Sequence, residues 1–188
     1  LGDAYYHFGQ YPQAVEAFSN YLDREHAVPR RDALYMLGLS YYQTKVYSKA
    51  AETLGKVTTE NDALTQNAYL HMGLSYLQLA EKNKARMAFE QAAASNANMQ
   101  IKEQAAYNYA LCLHETSFSA FGESVTAFEK FLNEFPTSPE PVYRYRTIQP
   151  PDQSRRLLLV WRVILSSQPN GRGSPRFQRL PATDHPAQ

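Results

Sequence analysis

The sequence predicts an all-α fold in which antiparallel helix pairs stack side by side and an irregular C-terminal tail follows. Three observations carry this reading. A small residue recurs at Gly2, Gly38, Gly73 and Ala110, at separations of 36, 35 and 37 residues. Apolar residues surround each at helical spacing, and a second segment of each of the first three periods sets an alanine four positions before a large apolar residue. A period in the range of roughly 20–50 residues bears on architecture before any local motif does, because each unit buries its apolar face only against a neighbour.

The units read in order as follows. Leu1-Gly2 is followed by Tyr5, Gly9, Tyr11, Ala14, Ala17 and Phe18. Leu37-Gly38 leads to Tyr41, Tyr47, Ala50 and Leu54, and Met72-Gly73 to Tyr76, Ala85, Ala88 and Phe89. The fourth unit is looser, with Tyr109-Ala110, Leu113, Ala127 and Phe128. In the first helix of a unit, Leu34, Leu37 and Tyr41, or Tyr69, Met72 and Tyr76, form one apolar stripe. Glycine within a helix costs about 1 kcal/mol against alanine, so its recurrence points to a close helix approach that offsets the loss. Ala14 and Phe18, Ala50 and Leu54, and Ala85 and Phe89 supply small and large positions that interlock with it.

This series of a large residue, Leu-Gly, Tyr, Ala, Phe, Ala and a closing Pro resembles the tetratricopeptide-repeat (TPR) family, whose unit has roughly 34 residues. The resemblance covers about residues 1–142, with Phe135-Pro136 closing the fourth unit. Tyr69 and Leu34 stand where the family most often has Trp. The turns Asp23 to Arg31 and Thr58 to Asp62 lengthen the units, and the fourth has an apparent two-residue insertion around Ser117 to Gly122. The family resemblance implies a right-handed α-solenoid acting as a protein–protein interaction scaffold, with no catalytic site and no cofactor. Alternatives on the same fold are a bacterial envelope assembly factor or a non-catalytic piece of a larger regulatory protein. The phrase Phe128 to Pro139 is similar to the helix-end phrase of bacterial periplasmic and outer-membrane-associated members. It points to the periplasm or the outer-membrane periphery, with the cytoplasm as alternative.

The chain carries a formal charge of +1, which excludes a whole-chain electrostatic case for nucleic acid, acidic substrates or a membrane surface. That total hides two compositions. Residues 1–142 hold 11 Lys and Arg against 16 Asp and Glu, a balance of −5, whereas 143–188 hold eight Arg, no Lys, Asp152 and Asp184, a balance of +6. The domain division is therefore 1–142, about four repeat units, and 143–188, an Arg/Pro-rich segment. This segment is either a basic tail or an out-of-frame translation, the second favoured because Glu and Lys vanish together. Within it, Arg155 to Leu165 is the only stretch with helical potential, and 168–188 reads as loop or disorder. Leu1 aligns with the seventh repeat position, so the chain reads as cut from something longer, with uncapped ends that leave self-association open.

No transmembrane helix is expected, since the longest strongly apolar run, Leu157 to Leu165, is interrupted by Arg162. The single cysteine, Cys112, excludes an internal disulfide and reads as an inert packed thiol. His7, His26, His71, His114 and His185 have no ligand-type partner at helical spacing, so no metal site is read. The 14 tyrosines lack interleaved Lys or Arg and read mainly as core rather than as base-stacking platforms. What remains is a surface. The resemblance implies that the first helices of the units line a concave groove for a peptide or partner helix. Its residues would be Tyr6 and His7; Tyr35, Leu39, Tyr42 and Gln43; Leu70, Leu74, Leu77 and Gln78; and Tyr107, Leu111, His114 and Glu115. The basic and Asn residues with which some members clamp a C-terminal carboxylate are missing from these positions. Any one leucine of the set has packing against the next unit as its competing role.

Overall fold

The computed structural model of the chain describes residues 1–24, 30–116 and 121–138. Among them it has eight helices and no strand: α1 (Gly2–His7), α2 (Tyr11–Arg24), α3 (Arg31–Gln43), α4 (Tyr47–Gly55), α5 (Ala63–Gln78), α6 (Lys82–Ala94), α7 (Met99–Thr116) and α8 (Phe121–Glu134). Each helix packs against the next, and the odd-numbered helices also pack on one another, α1 on α3, α3 on α5 and α5 on α7. The odd helices therefore form a continuous inner row. The reading of 143–188, and that of 117–120 within the fourth-unit insertion, lie outside the described residues. Both edges of the Asp23 to Arg31 turn shift: α2 continues through Asp23 and Arg24, the latter placing a cation at a helix C-terminus, and α3 begins at Arg31.

The close approach inferred from glycine is present at three unit cores. A Cβ on Gly73 would stand 2.5 Å from Phe89 Cε1, one on Gly38 2.6 Å from Leu54 Cγ, and one on Gly2 2.9 Å from Phe18 Cε1. Each large residue lies sixteen positions after its glycine, and Leu54 and Phe89 are fully buried. The core is correspondingly segmented along the stack. Phe18 and Leu37 centre the first cluster, Leu54 and Val57 the second, Leu70 and Phe89 the third, and Phe128, Phe131 and Phe135 the last. Cys112 belongs to the third cluster, and its burial pushes the thiol up to about 11.

The turn within a unit is also repeated. Gly9, Lys45 and Ala80, each seven positions after the small residue, take φ of 72°, 63° and 58°. The following N–H groups of Gln10, Val46 and Glu81 reach back to the carbonyls of Tyr5, Tyr41 and Tyr76 at 2.8, 2.9 and 2.9 Å. This is the left-handed helix stop that satisfies the last orphan carbonyls. Only the first of the three uses the residue that adopts it freely.

Junctions between units are stapled by polar side chains seven positions before the glycine. Arg31 donates to the Val57 carbonyl at 3.0 Å and forks onto Asp62 at 2.8 and 3.0 Å, with the Thr65 hydroxyl at 2.8 Å. Asp62 in turn caps α5 by accepting the Thr65 N–H at 2.8 Å. These hydrogen bonds, from Arg31 first, hold its carboxyl well below the usual carboxylate range. At the next junction the same position is Gln66, 1% exposed, which donates to the Ala92 and Ser95 carbonyls at 3.0 and 2.8 Å and accepts the Asn98 N–H at 2.7 Å. All of its amide groups are used.

Gly73→Ala is expected to destabilise the chain by about 1–3 kcal/mol through overpacking on Phe89, against a helix-propensity gain of about 1 kcal/mol. A raised urea midpoint for this variant would contradict the close-approach account. Ala80→Gly should act in the other direction, raising stability by about 0.5–1 kcal/mol as left-handed strain is relieved. The same urea titration reads it.

Candidate functional site

The inner row places the fourteen groove candidates at four repeat positions on odd helices, in three environments. Leu39, Leu70 and Tyr107 are buried, and the last two belong to core clusters. Tyr107 rests on Phe128 and Phe131, with centroids 6.4 and 5.7 Å away. Tyr6, Tyr35, Tyr42, Leu74, Leu77, Leu111 and His114 are half-buried, whereas His7, Gln43, Gln78 and Glu115 are exposed. Glu115 pairs with Lys82 at 3.0 Å. The surface open to a ligand is thus narrower than the full set, and its tyrosines, Tyr6, Tyr35 and Tyr42, lie in the first two units.

The tyrosines differ from the sequence expectation. Of those described, only Tyr107 is buried, and most of the others are half-buried rather than core. A phenol ring packs on apolar neighbours while its hydroxyl keeps a polar contact, which favours partial burial at the edge of a helix layer. Tyr6 meets Tyr11 edge-on at 5.4 Å, and the repeat-equivalent Tyr42 meets Tyr47 at 5.6 Å. The Gln43 side chain of the next unit acts on the Tyr6 hydroxyl, lowering its pKa by less than burial raises it. Burial raises the Tyr6 and Tyr42 hydroxyls above their ordinary value and pushes Tyr35 up to about 12, so all three stay neutral.

His71 was not among the groove candidates, yet it links this aromatic group. Its ring stands edge-on to Tyr35 at 6.2 Å and to Tyr42 at 6.1 Å, carrying the cluster from α3 onto α5. Nδ1 lies 3.0 Å from the Asn67 carbonyl. A carbonyl only accepts, so Nδ1 holds the hydrogen and Nε2 of the neutral ring is an acceptor. Burial lowers the His71 pKa below its ordinary value, against a smaller raising effect of that carbonyl. The available sequence signal was its place beside Leu70 on an inner helix; its lack of a metal-spaced partner was uninformative. A concavity of about 820 Å³ lies where the turns after α4 and α6 meet, lined by Thr58, Asn61, Gln66, Gln91 and Asn96 among others.

Among the described residues no three His, Cys, Asp or Glu side chains converge as a metal site, and no helix is long and apolar enough to cross a membrane. Helices paired in sequence and stacked unit on unit define a helical-repeat architecture. Family comparison gives the class its name. One tetratricopeptide-repeat model matches residues 1–63 and another matches residues 66–99. The chain belongs to the tetratricopeptide-repeat family, whose members are in general non-catalytic. It is similar in fold to the crystal structure of MamA, with a TM-score of 0.64 at 20% identity over 87% of this chain and 90% of that chain. No curated protein sequence matches it.

His71 gives the structure a pH dependence whose sign follows from its lowered pKa. The unfolded chain takes up a proton as pH falls through about 6.5, while the folded chain resists. Stability should therefore drop on going from about pH 7.5 to about pH 5.5, and the drop should shrink in His71→Gln. Urea midpoints at the two pH values test this; equal drops in both proteins would remove His71 as the cause.

Proposed function

We propose that the inner row binds an extended peptide or a partner helix, with Tyr6, Tyr35, Tyr42, Leu74 and Leu77 as its principal contact residues and His71 as the link between units. The repeat domain in this reading is 1–142, and the segment 143–188 lies outside it. The observation that carries the proposal is the run of half-buried aromatic and aliphatic side chains continuing across α1, α3 and α5 on one face. The tyrosines lose little conformational freedom when covered and are of a residue type enriched at binding hot spots, while the leucines add apolar contact area. Their repeat spacing suits a ligand that meets one unit after another. Leu39, Leu70 and Tyr107 support the face from beneath.

Replacing Tyr42 and Leu74 with Asp places two charges on this face at half-buried positions. Co-precipitation from an extract of the source cells, read by mass spectrometry against the unaltered chain, should lose its specific partners, while far-ultraviolet circular dichroism stays unchanged. Retention of the same partners at the same yield would rule out the inner row as the contact surface.

A further inference from the structure

We infer that the partner segment carries arginine, and that its guanidinium seats among the rings of Tyr6, Tyr35 and Tyr42; this rests on the inner-row reading proposed above. The argument begins with the chain's own cations. Lys49 lies over the Tyr41 ring at 5.6 Å and Lys84 over Tyr76 at 5.5 Å. These are the same pair in successive units, a tyrosine three positions after the glycine and a lysine eight positions further on. The register that turns away from the inner row thus receives its cation from within. One position on, Tyr6 and Tyr42 have no cation over them among the described residues.

The inner row cannot supply one itself. Helix α5 has no charged residue. The basic residues of the described odd helices, Arg31 and Lys102, are held by Asp62 and Glu60 and by Glu134 respectively. The charges of this row outside the ion pairs are negative: Glu103, which is half-buried, and Asp3, which is exposed, directly after Gly2 and in register with Leu39 and Leu74. Residues 1–142 as a whole carry −5. A set of neutral phenol rings, a neutral imidazole whose Nε2 is an acceptor and a carboxylate one helical turn before Tyr6 match a cation that is flat and donates along its edge. Guanidinium stacks on aromatic faces and forks onto acceptors, whereas ammonium is a compact and strongly hydrated point charge.

The test uses the full chain as bait for a random peptide library displayed on phage, followed by fluorescence anisotropy of selected peptides. Enrichment of arginine is expected. Its replacement by leucine in a selected peptide should weaken binding about tenfold, and its replacement by lysine by less. On the protein side, Tyr42→Phe keeps the ring and should keep affinity, while Tyr42→Leu loses about tenfold. Asp3→Asn, at an exposed position that cannot disturb the core, should cost about threefold. Peptides that Leu74→Asp displaces but that show no arginine enrichment, or whose affinity ignores both Tyr42→Leu and Asp3→Asn, would overturn this inference and leave the inner-row reading standing. Arginine-bearing peptides insensitive to Leu74→Asp and to Tyr42→Leu alike would overturn both.

Discussion

Everything in this stack depends on the missing Cβ at Gly38 and Gly73. The distances to Leu54 and Phe89 leave no room for a methyl group, so the large side chain of the second helix lies directly against the backbone of the first. That closeness lets one large side chain seal the unit. It also fixes the helix spacing from which the inner row is built, since every odd helix is located by the even helix it touches. The fourth unit shows the alternative: Ala110 replaces glycine, and its seal, Phe128, stands two positions later.

Fold and site were not equally visible in the sequence. Gly2, Gly38, Gly73, Phe18, Leu54 and Phe89 announce themselves because steric exclusion permits few residue types at those positions. The staples at Arg31 and Gln66 did not, although they share one repeat position. A guanidinium and an amide satisfy the same kind of helix-end carbonyl with different chemistry, so no residue type recurs to be noticed. The left-handed turns were hidden for a related reason. Lys45 and Ala80 are held in that conformation by the hydrogen bonds of the turn and by the packing on either side, with nothing in their own side chains to signal it.

The inner row illustrates the same division. Its positions follow from the period alone, but burial decides which are available, and Leu39, Leu70 and Tyr107 went to the core because the neighbouring helix sits over them. His71 went the other way. Read for metal spacing it has no partner, whereas in three dimensions it fills the gap between two tyrosines of the preceding unit. A residue's role there comes from the stacking of units, which no single unit contains.

The two staples also differ in how they would respond to a bending load. Gln66 is 1% exposed and grips three backbone groups around residues 92–98, so hinging there would strand buried donors and acceptors without water to replace them. At the Arg31 junction the acidic partners Glu60 and Asp62 keep 63% and 40% of their side-chain surface in solvent. Water can take over those contacts as they part. A long, stiff ligand pressing on the inner row would thus find its compliance between the second and third units, and a rigid seat from the third to the fourth.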